Sequence, residues 1–135
     1  MRICRRETFN AAHRLFRPEW DDDKNMEVFG KCSYPNYHGH NYALEVWIDG
    51  PVDPLTGFVM DLKALKYIIQ QEVSERFDHR NLNLDCPEFE AIIPTTENIA
   101  MVIWNLLRPH IPENMQLEVQ LSETEKNKVV YDGNR

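Results

Sequence analysis

Residues 41–49 read Asn-Tyr-Ala-Leu-Glu-Val-Trp-Ile-Asp, and this stretch decides the fold. Tyr42, Leu44, Val46 and Ile48 alternate with Ala43, Glu45 and Trp47. Side chains of a β-strand point to opposite faces in turn, so this period of two predicts a strand with one face more apolar than the other. Upstream, residues 3–12 hold Ile3, Thr8 and Phe9 and predict a first strand. Residues 18–31, with Pro18, the run Asp21-Asp22-Asp23 and Gly30, read as a loop with a solvated acidic face. Downstream, Gly50-Pro51 and Pro54-Leu55-Thr56-Gly57 mark turns. Leu62, Leu65, Ile69, Val73 and Phe77 form a helical stripe over 61–77. Ile99, Val102, Ile103, Leu106 and Leu107 repeat that stripe over 96–108, and Pro109 ends it. Leu117, Val119 and Leu121 alternate again, and Val129 to Tyr131 predicts a last strand. The order of strands, helix, helix, strands predicts an α+β domain whose two helices cover one face of an antiparallel sheet. An open sheet of this kind has unpaired edges, which pairing with other subunits would cover.

Composition narrows the functional classes. The 135 residues contain no repeat, low-complexity tract or linker, so a single domain over 1–135 is expected. No run approaches the roughly 20 apolar residues that a membrane span needs. The basic start, Met1 to Arg6, leads into Glu7 and polar residues where a secretory signal would be apolar, so a cytoplasmic protein is expected. The net charge of −7 argues against a general nucleic-acid surface, which takes clustered Lys and Arg. Three cysteines, Cys4, Cys32 and Cys86, do not describe a disulfide framework, and none stands in a C-x-x-C pair. Cys4 is expected to be a small buried hydrophobe in the first strand, and Cys86 to sit in a turn.

The chemistry centres on His38-Gly39-His40, at the mouth of the strand that begins near Asn41. On a strand, residues i and i+2 share a face, so both imidazoles can reach one ion. Gly39 between them permits close backbone approach. His13 follows the first strand, where a hairpin partner would deliver a third imidazole. Three neutral histidines make a zinc site of the catalytic type, with one position left for water or substrate. His-x-His alone is a weak motif, and an isolated residue such as His110 reads as surface. Its neighbours strengthen it: Cys32 lies six residues before His38, and Asp78-His79 follows the first helix. A thiol in the field of a dication should have a lowered pKa and serve as a base or nucleophile. An adjacent Asp can orient an imidazole as a second proton carrier.

Six segments, in order along nearly the whole chain, match a known pattern. They are Phe9 to Leu15 (FNAAHRL), Phe29 to Tyr42 (FGKCSYPNYHGHNY), Asp53 to Leu62 (DPLTGFVMDL), Asp78 to Leu84 (DHRNLNL), Thr95 to Trp104 (TTENIAMVIW) and Ser122 to Gly133 (SETEKNKVVYDG). In these segments the chain closely resembles the 6-pyruvoyltetrahydropterin synthase family. The resemblance implies that His13, His38 and His40 are zinc ligands and that Cys32, Asp78 and His79 form a catalytic triad. It implies that Glu123 anchors a pterin ring by accepting hydrogen bonds from its guanidine-like edge, with Thr95, Thr96 and Glu97 near the same pocket. It implies the tunnelling fold (T-fold), in which subunit sheets join into a barrel, trimers stack as homo-hexamers and the sites lie between subunits.

The implied reaction is the zinc-dependent conversion of 7,8-dihydroneopterin triphosphate to 6-pyruvoyltetrahydropterin with elimination of triphosphate. No cationic face for the triphosphate is identifiable beyond Lys31 and Arg14. A related reading is 6-carboxytetrahydropterin synthase of the queuosine pathway, which shares substrate, metal and fold but expels a two-carbon fragment. Five residues separate Cys32 from His38, the longer spacing, which resembles the pyruvoyl-forming enzymes. A pterin- or metal-binding module without catalysis is the third reading, although a binder has no need of Cys32 beside the metal.

Overall fold

The computed structural model describes residues 1–134. Its chain order is β1 (Arg2–His13), α1 (Asp22–Phe29), β2 (His38–Asp49), α2 (Leu62–Ile69), α3 (Glu75–Phe77), β3 (Arg80–Asn81), α4 (Leu82–Asp85), α5 (Thr96–Leu107), β4 (Gln116–Ser122) and β5 (Lys128–Tyr131). The strands form one sheet in the order β3-β1-β2-β4-β5. β1 and β2 pair antiparallel along their whole length, from Arg2 opposite Asp49 to His13 opposite His38. β4 and β5 continue the antiparallel ladder. The expected α+β class holds, with one difference: β3 joins β1 in parallel, so the sheet is mixed. β3 is only two residues long, too short for a periodic pattern, and the sequence held no sign of it.

The period-two reading of 41–49 is borne out. Tyr42, Leu44, Val46 and Ile48 are fully buried, and register places them beside Phe9, Leu121, Val119 and Leu117 on one face of the sheet. Both helical stripes lie on that face. α5 packs against β4 and β5, while α2 and α3 reach β1. Leu65, Ile69, Val73 and Phe77 from the first stripe, with Ile99, Ile103 and Leu107 from the second, join the core at 0% exposure. The first helix is not uniform, since residues Gln70–Ser74 widen into a π turn between α2 and α3.

Two other expectations are corrected. The segment 18–31 is not all loop: Asp22–Phe29 is helical. Asp21 caps it by accepting from the Lys24 N–H at 2.7 Å, and Asp22 and Asp23 stand in its first turn, where the helix dipole favours negative charge. The acidic run is therefore a helix start, hidden by the absence of an apolar stripe behind it. β2 begins at His38 rather than Asn41, so the histidine pair lies on the strand itself. The three cysteines are free thiols; Cys86 is buried, whereas Cys4 is only half-buried. Among the described residues, no helix is long and apolar enough to cross a membrane.

Candidate metal centre

Register builds the centre. His13 ends β1 directly opposite His38, and Ala11 stands opposite His40, so all three imidazoles project on the core side of the sheet. Gly39, between the two β2 histidines, lies against β1: a Cβ there would meet the Ala11 carbonyl oxygen at 3.3 Å. Tyr37, just before β2, adopts the left-handed conformation at φ 65°, a turn unusual for a bulky residue that swings the chain onto His38. The ring centroids lie 4.6 Å (His13–His38), 5.1 Å (His13–His40) and 5.0 Å (His38–His40) apart. Tyr42, one step deeper on the same face, forms the floor, with its ring 5.6 Å from His40 and stacked on Phe9.

The donor atoms fit a metal. One ligand atom from each histidine lies within 4.8 Å of the others. The Nε2 atoms of His13, His38 and His40 are all shielded from solvent and have no hydrogen-bond partner. Orphaned buried polar atoms are rare in folded proteins, and three converging on one point are satisfied together by a single cation. His13 is fully buried, and its Nδ1 faces the Pro94 carbonyl at 2.8 Å. A carbonyl only accepts, so Nδ1–H donates to it and Nε2 is left as the ligand atom. Burial, chiefly, holds the His13 pKa down to about 4, with His38 and His40 adding to the effect and the Pro94 and Glu123 oxygens opposing it. Burial and the neighbouring His40 lower His38 as well. Neutral imidazole is the ligand form, so the fold keeps the site ready for a cation.

Glu123, just past β4, leans into the cluster. Its Oε1 is 3.5 Å from His40 Nε2 and its Oε2 is 4.0 Å from His13 Nε2. The Thr96 hydroxyl donates to Oε2 at 2.6 Å. Thr96 opens α5, and Thr95 caps that helix by accepting from the Asn98 N–H. Thr96, Glu97 and Glu123 line one recess together with Lys126, Asn127 and Lys128. A cavity of about 650 Å³ lies elsewhere, bordered by Phe16, Tyr37, Phe89 and Ile93 and reaching Thr95 but none of the imidazoles. Polarity and donor chemistry, not size, mark the centre.

Cys32 stands near the cluster in a short 3₁₀ turn, Gly30–Ser33, which is tied to the end of β1 by Leu15 N–H donating to the Cys32 carbonyl at 2.9 Å. Burial first, and then the Glu123 charge, push its thiol up rather than down. The lowering expected from the sequence needs the field of a cation. Asp78 and His79 are held apart from the cluster. The Asp78 carboxylate accepts from Asn10 N–H at 2.8 Å and lies 3.0 Å from His79 Nδ1, while His79 N–H donates to the Asn10 carbonyl at 2.6 Å. The Asn10 N–H, chiefly, lowers the Asp78 pKa. His79 takes the left-handed conformation at φ 60°, and its side chain is 82% exposed. Among the described residues, no hydrogen bond or ion pair joins Asp78 or His79 to the histidine cluster, to Cys32 or to Glu123. Within one chain the structure thus gathers His13, His38, His40, Glu123 and Thr96, and sets the Asp78-His79 pair at the sheet's edge. The Pro94 carbonyl and the Asn10 backbone, which orient two of these groups, left no trace in the sequence, because any residue supplies a backbone oxygen or N–H.

Comparison with known proteins decides the family. The family model for 6-pyruvoyl tetrahydropterin synthase matches residues 2–134. The chain belongs to that family. It is 44% identical over 131 residues to the 6-pyruvoyl tetrahydrobiopterin synthase of Pongo abelii and 42% identical over 131 residues to that of Homo sapiens, covering 97% of this chain and 90% of each relative. The solved structure of Caenorhabditis elegans 6-pyruvoyl tetrahydropterin synthase superposes with a TM-score of 0.92 at 38% identity, covering 99% of this chain and 96% of that one. The five-stranded mixed sheet with its helices is the T-fold of this family.

Proposed function

We propose that the chain is a zinc enzyme that converts 7,8-dihydroneopterin triphosphate to 6-pyruvoyltetrahydropterin with release of triphosphate. The observation that carries this reading is the trio of orphaned Nε2 atoms of His13, His38 and His40, converging at the end of the sheet. Three nitrogen donors suit zinc, and a zinc ion there would act as a Lewis acid toward side-chain oxygens of the substrate. Cys32 would move a proton at an adjacent side-chain carbon. The Asp78-His79 pair would be the second proton carrier, with Asp78 holding the ring by the Nδ1 contact of 3.0 Å. Glu123 would accept hydrogen bonds from the donor edge of the pterin, Thr96 and Glu97 would line that end of the recess, and Thr95 would stand next to it at the start of α5. The names of the relatives at 42–44% identity support the pyruvoyl product over the carboxy product. The retained Cys32, Asp78 and His79 speak against a non-catalytic binding module.

We further infer that the functional unit is a homo-hexamer, a dimer of trimers, with subunit sheets closing into a barrel and each chain acting as one domain. β3 pairs with β1 only at Ala11 and Ala12, and Asp78 and His79 take the backbone of Asn10, which leaves the edge from Arg2 to Phe9 available, and β5 forms the opposite edge. His79, exposed on the β1 side, would serve a neighbouring copy's cluster rather than its own.

Turnover tests the reading. Zinc-loaded protein should consume dihydroneopterin triphosphate and release triphosphate, with a product of the pyruvoyl mass. Release of acetaldehyde would assign the carboxy product instead, and no consumption at all would leave only the binding module.

A further inference from the structure

The turn that carries Cys32 is held from outside the histidine cluster. Two successive residues past β1 reach it: Leu15 N–H donates to the Cys32 carbonyl at 2.9 Å, and Arg14 Nε–H donates to the Ser33 carbonyl at 2.7 Å. The guanidinium also lies over the Phe16 ring, 3.9 Å from its centroid, so Arg14 is engaged on two sides. Inside the turn, the buried Ser33 hydroxyl donates to the Gly30 carbonyl at 2.8 Å. Residues 14 and 15 need support of their own, because β1 ends at His13 and β3 pairs only with Ala11 and Ala12. Asn83 supplies it. Its Oδ1 accepts from Arg14 N–H at 2.8 Å, and its Nδ2 donates to the Arg14 carbonyl at 2.9 Å. A side-chain amide offers an acceptor and a donor, the pair that a neighbouring strand residue would present, so Asn83 continues the ladder beyond the end of β3. Asn83 is itself fixed within α4: its N–H donates to Asn81 Oδ1 at 3.0 Å, and Leu82 beside it is fully buried.

We propose that Arg14, clamped by Asn83, is the positioning residue for Cys32: it fixes the turn from which the thiol works and touches no substrate itself. The assignment rests on the pterin-synthase reading given above, in which Cys32 moves a proton. A 3₁₀ turn of four residues has few bonds of its own, and displacing a reacting group by about 1 Å can cost about a hundredfold in rate. The carbonyls of Cys32 and Ser33 are therefore the handles by which the fold sets the thiol. Arg14 is also one of the two cations that the sequence offers for the triphosphate. With its Nε–H on Ser33 and its face on Phe16, the guanidinium is built into the fold instead.

The test compares zinc-loaded variants by turnover, by zinc content and by the rate at which iodoacetamide alkylates Cys32, followed by mass at the peptide that holds it. Arg14→Gln should keep zinc, lose roughly tenfold to a hundredfold in kcat with KM within about twofold, and speed Cys32 alkylation severalfold. Asn83→Ala should act in the same direction from the other end of the clamp, with the guanidinium intact. Asn83→Asp, which still accepts from Arg14 N–H, should recover part of the loss. In the Cys32→Ala background Arg14→Gln should cost nothing more, because the group it positions is gone, whereas a residue that merely stabilises the fold would cost as much there as in the wild type. A second full loss in that background, or loss of zinc in Arg14→Gln, overturns the assignment. So does a raised KM with kcat unchanged, which would make Arg14 a cation for the substrate. The two readings fail separately. Wild-type protein without turnover, whose Cys32 alkylation still answers to Arg14 and Asn83, removes the synthase reading and keeps the clamp on Cys32, whereas turnover and alkylation indifferent to both residues do the reverse.

Discussion

The protonation state of His13 links folding to metal binding. Its pKa in the fold, about 4, lies below the ordinary value of 6.5, because charging a fully buried ring costs desolvation that the Pro94 and Glu123 oxygens offset only in part. Below pH 6.5 the unfolded chain therefore binds a proton that the folded chain refuses. The contribution to stability is complete above about pH 6.5 and is lost as pH falls toward 4, amounting to about 3 kcal/mol for a shift of this size. Chelator-treated protein should show that fall in denaturant midpoints across this window, and His13→Gln should flatten the slope. Cys32 makes the opposite point. Burial and Glu123 raise its thiol in the bare fold, so the proton-transfer role proposed for it would need the field of a cation bound at the histidines. Cys32→Ala should keep the metal, as measured by metal analysis, yet lose roughly a hundred- to ten-thousand-fold in turnover, the usual worth of a placed proton carrier. Loss of zinc in that variant would make Cys32 a ligand instead.

Elements set where those residues can stand. The β1–β2 pair is twelve residues on each side, and its register alone makes His13 meet His38 and puts His40 on the same face. A slip of one residue would turn one strand's imidazoles to the opposite face of the sheet. That register is fixed by the apolar face below the site, which α5 and the α2–α3 helix cover. Ile103, fully buried on α5, belongs to that face. Ile103→Ala should cost about 2–5 kcal/mol in chemical denaturation, while metal content per folded molecule stays at the wild-type level. α5 also reaches the candidate site at its start: Thr95 accepts from the Asn98 N–H, and Thr96, one residue on, holds Glu123. A single helix end thus serves both the core and the site.

At the scale of the whole molecule, the proposed function makes one chain incomplete. The three histidines converge within one chain, but the Asp78-His79 pair is tied to the far edge of β1, with the His79 ring exposed. A sheet with two open edges and the proposed proton carrier on one of them makes its own copies the natural partners. Sedimentation equilibrium should therefore give a mass about six times the 16.0 kDa of the chain. Dilution to monomer should abolish turnover while each chain keeps its zinc. A fully active monomer would refute the shared site.

Much of this was written in the chain itself. The alternation of Tyr42, Leu44, Val46 and Ile48 fixed a strand and its buried face, because a period of two has only one way to bury four apolar side chains. The stripes from Leu65 to Phe77 and from Ile99 to Leu107 determined two helices for the same reason at period 3.6. His38-Gly39-His40 determined a shared face for two imidazoles, since that is a property of neighbouring positions on one strand. Other features required tertiary structure. The pairing of His13 with His38 depends on a register between residues 25 apart in sequence, and the parallel β3 depends on a contact with no periodicity behind it. The left-handed turns at Tyr37 and His79 are conformations that neither residue type announces. The Pro94 carbonyl on His13 and the closeness of Glu123 to His40 come from packing that brings together groups 81 and 83 residues apart. Local pattern is decided by neighbours along the chain, whereas the site is decided by neighbours in space, and only the folded core chooses which groups those are.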